Sequence, residues 1–215
     1  MNRSLLQRSA LEGVGTALLA FSVGSLGIGD STPFQQAMGV GLCIALLIHL
    51  LGRFSGAHLN PAVTILLNHQ RFGARALCSS EAWRESLAYI AAQIAGALIG
   101  LAFHADAFTP GRFTPDGLIP ELVFSGLLFA LILRWSDEGR ICPVAQPMSG
   151  LVVGAGVGFL VLLGSVHGSG IYNPALAIGF ASRGADGLLM AIVSQLLAVA
   201  VVLAVMRSGS RLGNR

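Results

Sequence analysis

Six apolar stretches of similar length leave this chain of 215 residues little freedom in what it can fold into. They cover about 9–28, 34–51, 83–103, 118–133, 147–166 and 188–206. A helix needs about 20 apolar residues to cross the hydrocarbon of a bilayer. Within hydrocarbon every backbone N–H and C=O must be satisfied inside the chain, which for runs of this length means helices. Polar breaks separate them: Asp30, Ser31 and Pro33; Gly52-Arg53; two Thr-Pro dipeptides within 104–120; and Arg134, Asp137, Glu138, Arg140 and Pro143. With 54% hydrophobic and 11% charged residues, the chain is expected to be one all-α membrane domain over 1–215, ending in a polar tail at 207–215.

The charges report orientation. All 13 basic residues are arginines, and the formal net charge is +3. They form no basic stripe, which argues against a nucleic-acid partner. With both termini inside, eleven arginines (3, 8, 53, 71, 75, 84, 134, 140, 207, 211 and 215) fall on the inner side, against Arg112 and Arg183 outside. That asymmetry predicts a multi-pass protein of a bacterial inner membrane with cytoplasmic termini. The first run is too long for a signal-peptide core and reads as a retained span. Cys43, Cys78 and Cys142 suggest free thiols and no disulfide framework.

Two shorter apolar segments carry the functional signal. Ser-Gly-Ala-His-Leu-Asn-Pro-Ala-Val-Thr at 55–64 is answered by Gly-Ile-Tyr-Asn-Pro-Ala-Leu at 170–176. Asn is a favoured helix N-cap and Pro a favoured first helical residue. Asn60-Pro61-Ala62 and Asn173-Pro174-Ala175 therefore mark two helix starts. Each helix has about 9–10 residues, enough to reach about half the hydrocarbon depth. Non-helical backbone at that depth survives only inside protein or along a water-filled cavity.

The chain repeats itself around these motifs. Gly41 precedes Asn60 by 19 residues, as Gly154 precedes Asn173. Glu12 with Thr16 matches Glu121 with Ser125, and Gln93 matches Gln195. Three spans per half, about 9–105 and 118–206, make the repeats inverted, which places a site near the bilayer midplane. Two re-entrant half-helices would then meet at their N-termini, whose partial positive charge repels cations. Asn60 and Asn173 would cap their own helices and offer amide N–H groups to a neutral solute. Carbonyls of Gly56, Ala57 and His58, and of Gly168, Ser169 and Gly170, would line the approach as acceptors. Such a pore passes water or small neutral molecules and excludes protons and cations.

Over nearly its whole length the chain resembles the aquaporin (major intrinsic protein) family. The matching residues are Glu-Gly-Val-Gly-Thr at 12–16, the stretch at 55–64, Gln-Ile-Ala-Gly at 93–96 and Asn-Pro-Ala at 173–175. The resemblance implies six spanning helices plus two half-helices, a homotetramer in the lipid bilayer, no cofactor or metal, and Glu12 and Glu121 bracing the loop backbones. An alternative for Glu12 is a pair with Arg8, four residues earlier.

The sequence departs from the family where selectivity is set. Family members usually have Arg directly after the second Asn-Pro-Ala, where this chain has Leu176. Carried over by spacing, the other constriction positions fall on Val40, Val161 and Gly170, where water-selective members have Phe and His at the first two. Glycerol-conducting members usually continue with Arg-Asp, here Leu176-Ala177. A wide, apolar, uncharged constriction is implied, suited to water and to bulkier neutral solutes or metalloid acids.

His58 is expected as a hydrogen-bonded loop residue beside the motif, with pH sensing the alternative. His49, His69 and His104 lack metal-ligand spacing. Gly13, Gly96, Gly100, Gly126, Gly154 and Gly158 read as helix-packing positions. A secondary transporter is the alternative to a channel, since inverted repeats occur there too. No nucleophile–base pair, metal cluster or phosphate loop points to an enzyme.

Overall fold

The structure is a computed structural model that describes residues 4–27, 31–73, 76, 78–104, 113–137, 139–141 and 146–212, with 207–212 as backbone only. Several residues used in the loop and charge reading lie outside the described residues: Arg3, Asp30, Arg75, Arg112, Glu138, Cys142, Pro143, Arg215 and the side chains of Arg207 and Arg211.

Among the described residues the chain forms eight α-helices, with a short 3-10 turn at Pro115–Gly117. The helices are α1 (Leu5–Leu26), α2 (Pro33–Ser55), α3 (Pro61–Phe72), α4 (Ser80–Ala102), α5 (Leu118–Arg134), α6 (Ser149–Val166), α7 (Pro174–Ala181) and α8 (Leu188–Leu212). Six are long and apolar enough to cross a membrane. The short ones, α3 with 12 residues and α7 with 8, follow the two Asn-Pro-Ala motifs.

Several helix ends differ from the hydropathy reading, for local reasons. α1 starts at Leu5 rather than near Ser9, because Ser4 and Gln7 cap each other's backbone N–H groups. Thr32 and Gln35 do the same for α2, with Pro33 in the first turn. This reciprocal Ser/Thr-x-x-Gln pattern is readable in sequence and outranks hydropathy as a start signal. Gly52-Arg53 does not stop α2. Gly52 is buried inside the helix, and the chain turns only at Gly56, whose φ of 100° gives the left-handed cap that favours glycine. α8 runs past Met206 to Leu212, into what hydropathy marks as a polar tail.

The halves share one plan. α1 packs on α4 in the first, α5 on α8 in the second, and α2 crosses α6 between them. Glycines set the crossing distances. A Cβ on Gly96 would collide with the Gly13 carbonyl, and one on Gly100 with that of Ala17. A Cβ on Gly41 would sit 2.6 Å from the Gly154 oxygen. Gly126 differs from expectation: nothing lies within 4 Å of where its Cβ would be, so it packs against no helix. Large apolar side chains such as Leu42, Leu87, Ile119, Phe159 and Leu189 face outward, as a lipid-facing surface requires.

Candidate functional site

The N-termini of α3 and α7 meet inside the bundle. Asn60 Oδ1 accepts from the Ala62 N–H at 2.9 Å and, more weakly, from that of Val63 at 3.4 Å. Asn173 Oδ1 accepts from the Ala175 N–H at 3.0 Å. Each asparagine therefore caps its own helix, having extended backbone just before a first-turn proline.

The same side chains also reach across the junction. Asn60 Nδ2 donates to the Tyr172 carbonyl at 2.7 Å, and Asn173 Nδ2 donates to the Leu59 carbonyl at 2.9 Å. The sequence analysis offers these amide N–H groups to solute and does not anticipate a cross-junction bond. The structure commits one of the two N–H bonds of each amide to the opposite loop.

Residues just before the asparagines make this possible. Leu59 and Tyr172 have φ of 53° and 46°, a left-handed conformation uncommon for bulky side chains. Such backbone persists only where its surroundings over-determine it, and two buried carboxylates are part of those surroundings. Glu12 Oε1 accepts from Ser55 Oγ at 2.6 Å and the His58 N–H at 3.1 Å; its Oε2 accepts from the Leu59 N–H at 2.6 Å and Gln93 Nε2 at 2.9 Å. Glu121 Oε2 accepts from the N–H groups of Gly170 at 2.9 Å and Ile171 at 3.3 Å. Its Oε1 accepts from the Tyr172 N–H at 2.7 Å and Gln195 Nε2 at 2.6 Å. Both glutamates are fully buried, and four donors match a carboxylate's acceptor capacity.

Arg8 does not pair with Glu12. Its guanidinium holds Glu85 of α4 in two bonds of 3.0 and 3.1 Å, and Arg71 of α3 reaches the same carboxylate at 3.1 Å. Glu85 was not singled out in the sequence, since its partners lie 77 and 14 residues away.

A cavity of about 430 Å³ runs along the junction. Val40, Val161, Gly170 and Leu176 all line it, as do Asn60, Asn173, Ala57, His58 and Ser169. Gly56 and Gly168, expected among the lining carbonyls, do not. The Gly56 oxygen accepts from the Ile141 N–H at 3.0 Å, and the Gly168 oxygen is packed against Gly117. Pro61, Ala62, Pro174 and Ala175 also lie outside the lining; they shape the helix starts.

Sequence reasoning found Val40 and Val161 of the apolar wall but missed the rest of it. Val40, Ile44 and Ile48 of α2 and Val153, Val157 and Val161 of α6 line the cavity at steps of four. Side chains four apart share a helix face, so the spacing was there to be read. His58 is buried, with Nε2 3.0 Å from the Gly139 carbonyl and Nδ1 3.2 Å from Thr64 Oγ1. It is hydrogen-bonded at both nitrogens. Among the described residues no cluster of His, Cys, Asp or Glu could hold a metal ion.

Inverted three-helix repeats whose half-helices meet N-terminus to N-terminus define a class of polytopic membrane protein, and the comparisons with known proteins give the family. The profile described as "Major intrinsic protein" matches residues 4–183, and the chain belongs to that family. It is 31% identical to the probable aquaporin AqpM of Archaeoglobus fulgidus, over 83% of this chain and 84% of that protein. It is 28% identical to aquaporin NIP1-1 of Oryza sativa subsp. japonica, over 84% of this chain but 66% of the longer rice protein. Among solved structures it resembles the aquaglyceroporin from Plasmodium falciparum, with a TM-score of 0.66 over 94% of this chain and 93% of that one. At 21% identity that likeness shows the fold alone. The chain is thus an integral multi-pass membrane protein of a family of channels, not enzymes, and a passive channel for water or small solutes.

Proposed function

We propose that the cavity is the conduction path and that it admits uncharged solutes larger than water, including small organic solutes and metalloid acids as well as water itself. The meeting of α3 and α7 N-termini within the cavity carries this reading. Two positive helix ends at one point disfavour any cation there. The uncommitted N–H of each asparagine amide and the carbonyls of the loops offer hydrogen bonds to a passing neutral solute.

Val40, Val161, Gly170 and Leu176 form the selectivity constriction in this reading. An apolar ring without a fixed charge lowers the advantage of strongly hydrated solutes. It also removes one barrier to cations, leaving the half-helix ends with more of that task. Glu12 and Glu121 brace the loops, the termini are cytoplasmic, and the protein is a homotetramer of a bacterial inner membrane. The alternative, an ion-coupled transporter, needs a group free to take up the coupling ion; both buried carboxylates already have their acceptor positions filled by protein donors.

Proteoliposome flux of water, glycerol, urea and arsenous acid tests the reading, with Leu176→Arg in parallel. Wild type should pass the larger solutes at rates indifferent to proton and sodium gradients. Leu176→Arg should narrow the range toward water. Fast water with no larger solute, or an unchanged profile in the variant, would sink the constriction assignment.

A further inference from the structure

One large polar side chain in the second loop has no part in the reading above. Tyr172 is only 2% exposed. Its hydroxyl donates to the Leu160 carbonyl of α6 at 2.8 Å and lies 3.3 Å from Ser169 Oγ. The hydroxyl occupies a notch that exists because residue 164 is glycine, where a Cβ would collide with it. Its ring stands edge-on to Phe124 of α5, with centroids 6.4 Å apart and planes at 88°. Its backbone is held on both sides, the N–H by Glu121 and the carbonyl by Asn60, each at 2.7 Å.

This one residue therefore links α5, α6 and the opposite half-helix. The α6 contact has a further consequence. Val161 follows Leu160 directly, Gly170 stands two residues before Tyr172, and both line the cavity. A Cβ on Gly170 would lie 3.7 Å from the Val161 oxygen. The hydroxyl bond thus closes a short loop of structure whose two sides carry two of the four constriction positions.

We propose that Tyr172 is a positioning residue that sets the gap between Val161 and Gly170, and so governs the size of solute admitted. The inference rests on the conduction reading. Without the hydroxyl the loop is released from α6 while its N–H and carbonyl anchors remain. The second loop then keeps its place at the junction but not its spacing from Val161. Leu59, at the matching place in the first half, has an apolar side chain that packs on Gly15 and supplies no such tie.

The test uses the full chain in proteoliposomes, measuring flux of water and of linear polyols from glycerol to xylitol. Wild type is compared with Tyr172→Phe, which keeps the ring, and with Gly164→Ala, which displaces the hydroxyl from the other side. Each variant should still fold, with an unfolding temperature in detergent lowered by no more than one lost buried hydrogen bond or a tight methyl contact explains, and should keep its water flux close to wild type. Flux of the longer polyols relative to water should rise by about threefold or more, the scale of one hydrogen bond. An unchanged polyol series in Tyr172→Phe overturns the proposal. So does a Tyr172→Phe protein that fails to fold while Gly164→Ala folds with an unchanged series. Wild-type vesicles that pass neither water nor polyol would instead overturn the conduction reading itself.

Discussion

The two half-helices begin alike and are held differently. α3 is tied along its length by directional bonds: Thr64 Oγ1 accepts from Gln93 Nε2 at 3.0 Å, Asn68 Nδ2 donates to Ser86 Oγ at 2.7 Å, and Arg71 reaches Glu85. α7 reads Pro-Ala-Leu-Ala-Ile-Gly-Phe-Ala and has no polar side chain to do the same. It is placed by its loop and by shape, with Gly179 pressed against Ala97 and Leu101 of α4. Thr64 in the first half corresponds by spacing to Ala177 in the second. Gln195 Oε1, whose counterpart in Gln93 bonds Thr64, is accordingly buried without a hydrogen bond among the described residues. Ser125 Oγ is likewise buried without one, whereas its counterpart Thr16 bonds the Glu12 carbonyl. Leu176 and Gly170 belong to this second, less tethered half. Where polar networks are few, apolar substitutions change the cavity wall without stranding a hydrogen-bond partner.

Four substitutions press on this contrast. The largest effect is expected from Glu12→Ala and Glu121→Ala, each of which strands four donors, all buried for Glu12 and two half-buried for Glu121, and should cost about 4 kcal/mol or more. Thermal unfolding in detergent and the yield of folded protein should fall alike for the two. A much milder Glu12→Ala would mean that the additional tethers of α3 hold the first loop without its carboxylate. Next, Thr64→Ala makes the first half resemble the second. It should destabilise by about 1–2 kcal/mol, read as a lowered midpoint; no change would remove the Thr64–Gln93 bond as a difference between halves. Smallest is Ser125→Ala, which deletes a buried hydroxyl with no partner among the described residues and should be neutral or stabilising by up to about 1 kcal/mol. A clear loss of stability there would reveal that Ser125 has a bonding partner after all.

Much of the architecture was legible because membrane burial and helix capping act locally. Spans follow from apolar length, and the half-helix starts follow from Asn-Pro. Glu12 and Glu121 stood out because a carboxylate in an apolar run needs partners. Other features needed the third dimension. Nothing in the composition near Arg8 indicates that Glu85, rather than Glu12, receives its guanidinium. The Tyr172 hydroxyl depends on a notch at Gly164 that appears only once the loop folds back on α6. The apolar faces of α2 and α6 were readable from their steps of four, but the stronger membrane signal of the same residues concealed them.

The exchange of bonds at the centre also bears on how the chain is assembled. The Leu59 carbonyl is answered by a side chain 114 residues later, and the Tyr172 carbonyl by one 112 residues earlier. Neither repeat can finish its own loop, so during synthesis the first must wait with open hydrogen-bonding groups until residue 173 has been inserted. The junction therefore closes only after both halves are present, and each half depends on the other for one of its loop bonds. Expressed as two separate chains, each should be unstable alone and recover only when the other is supplied.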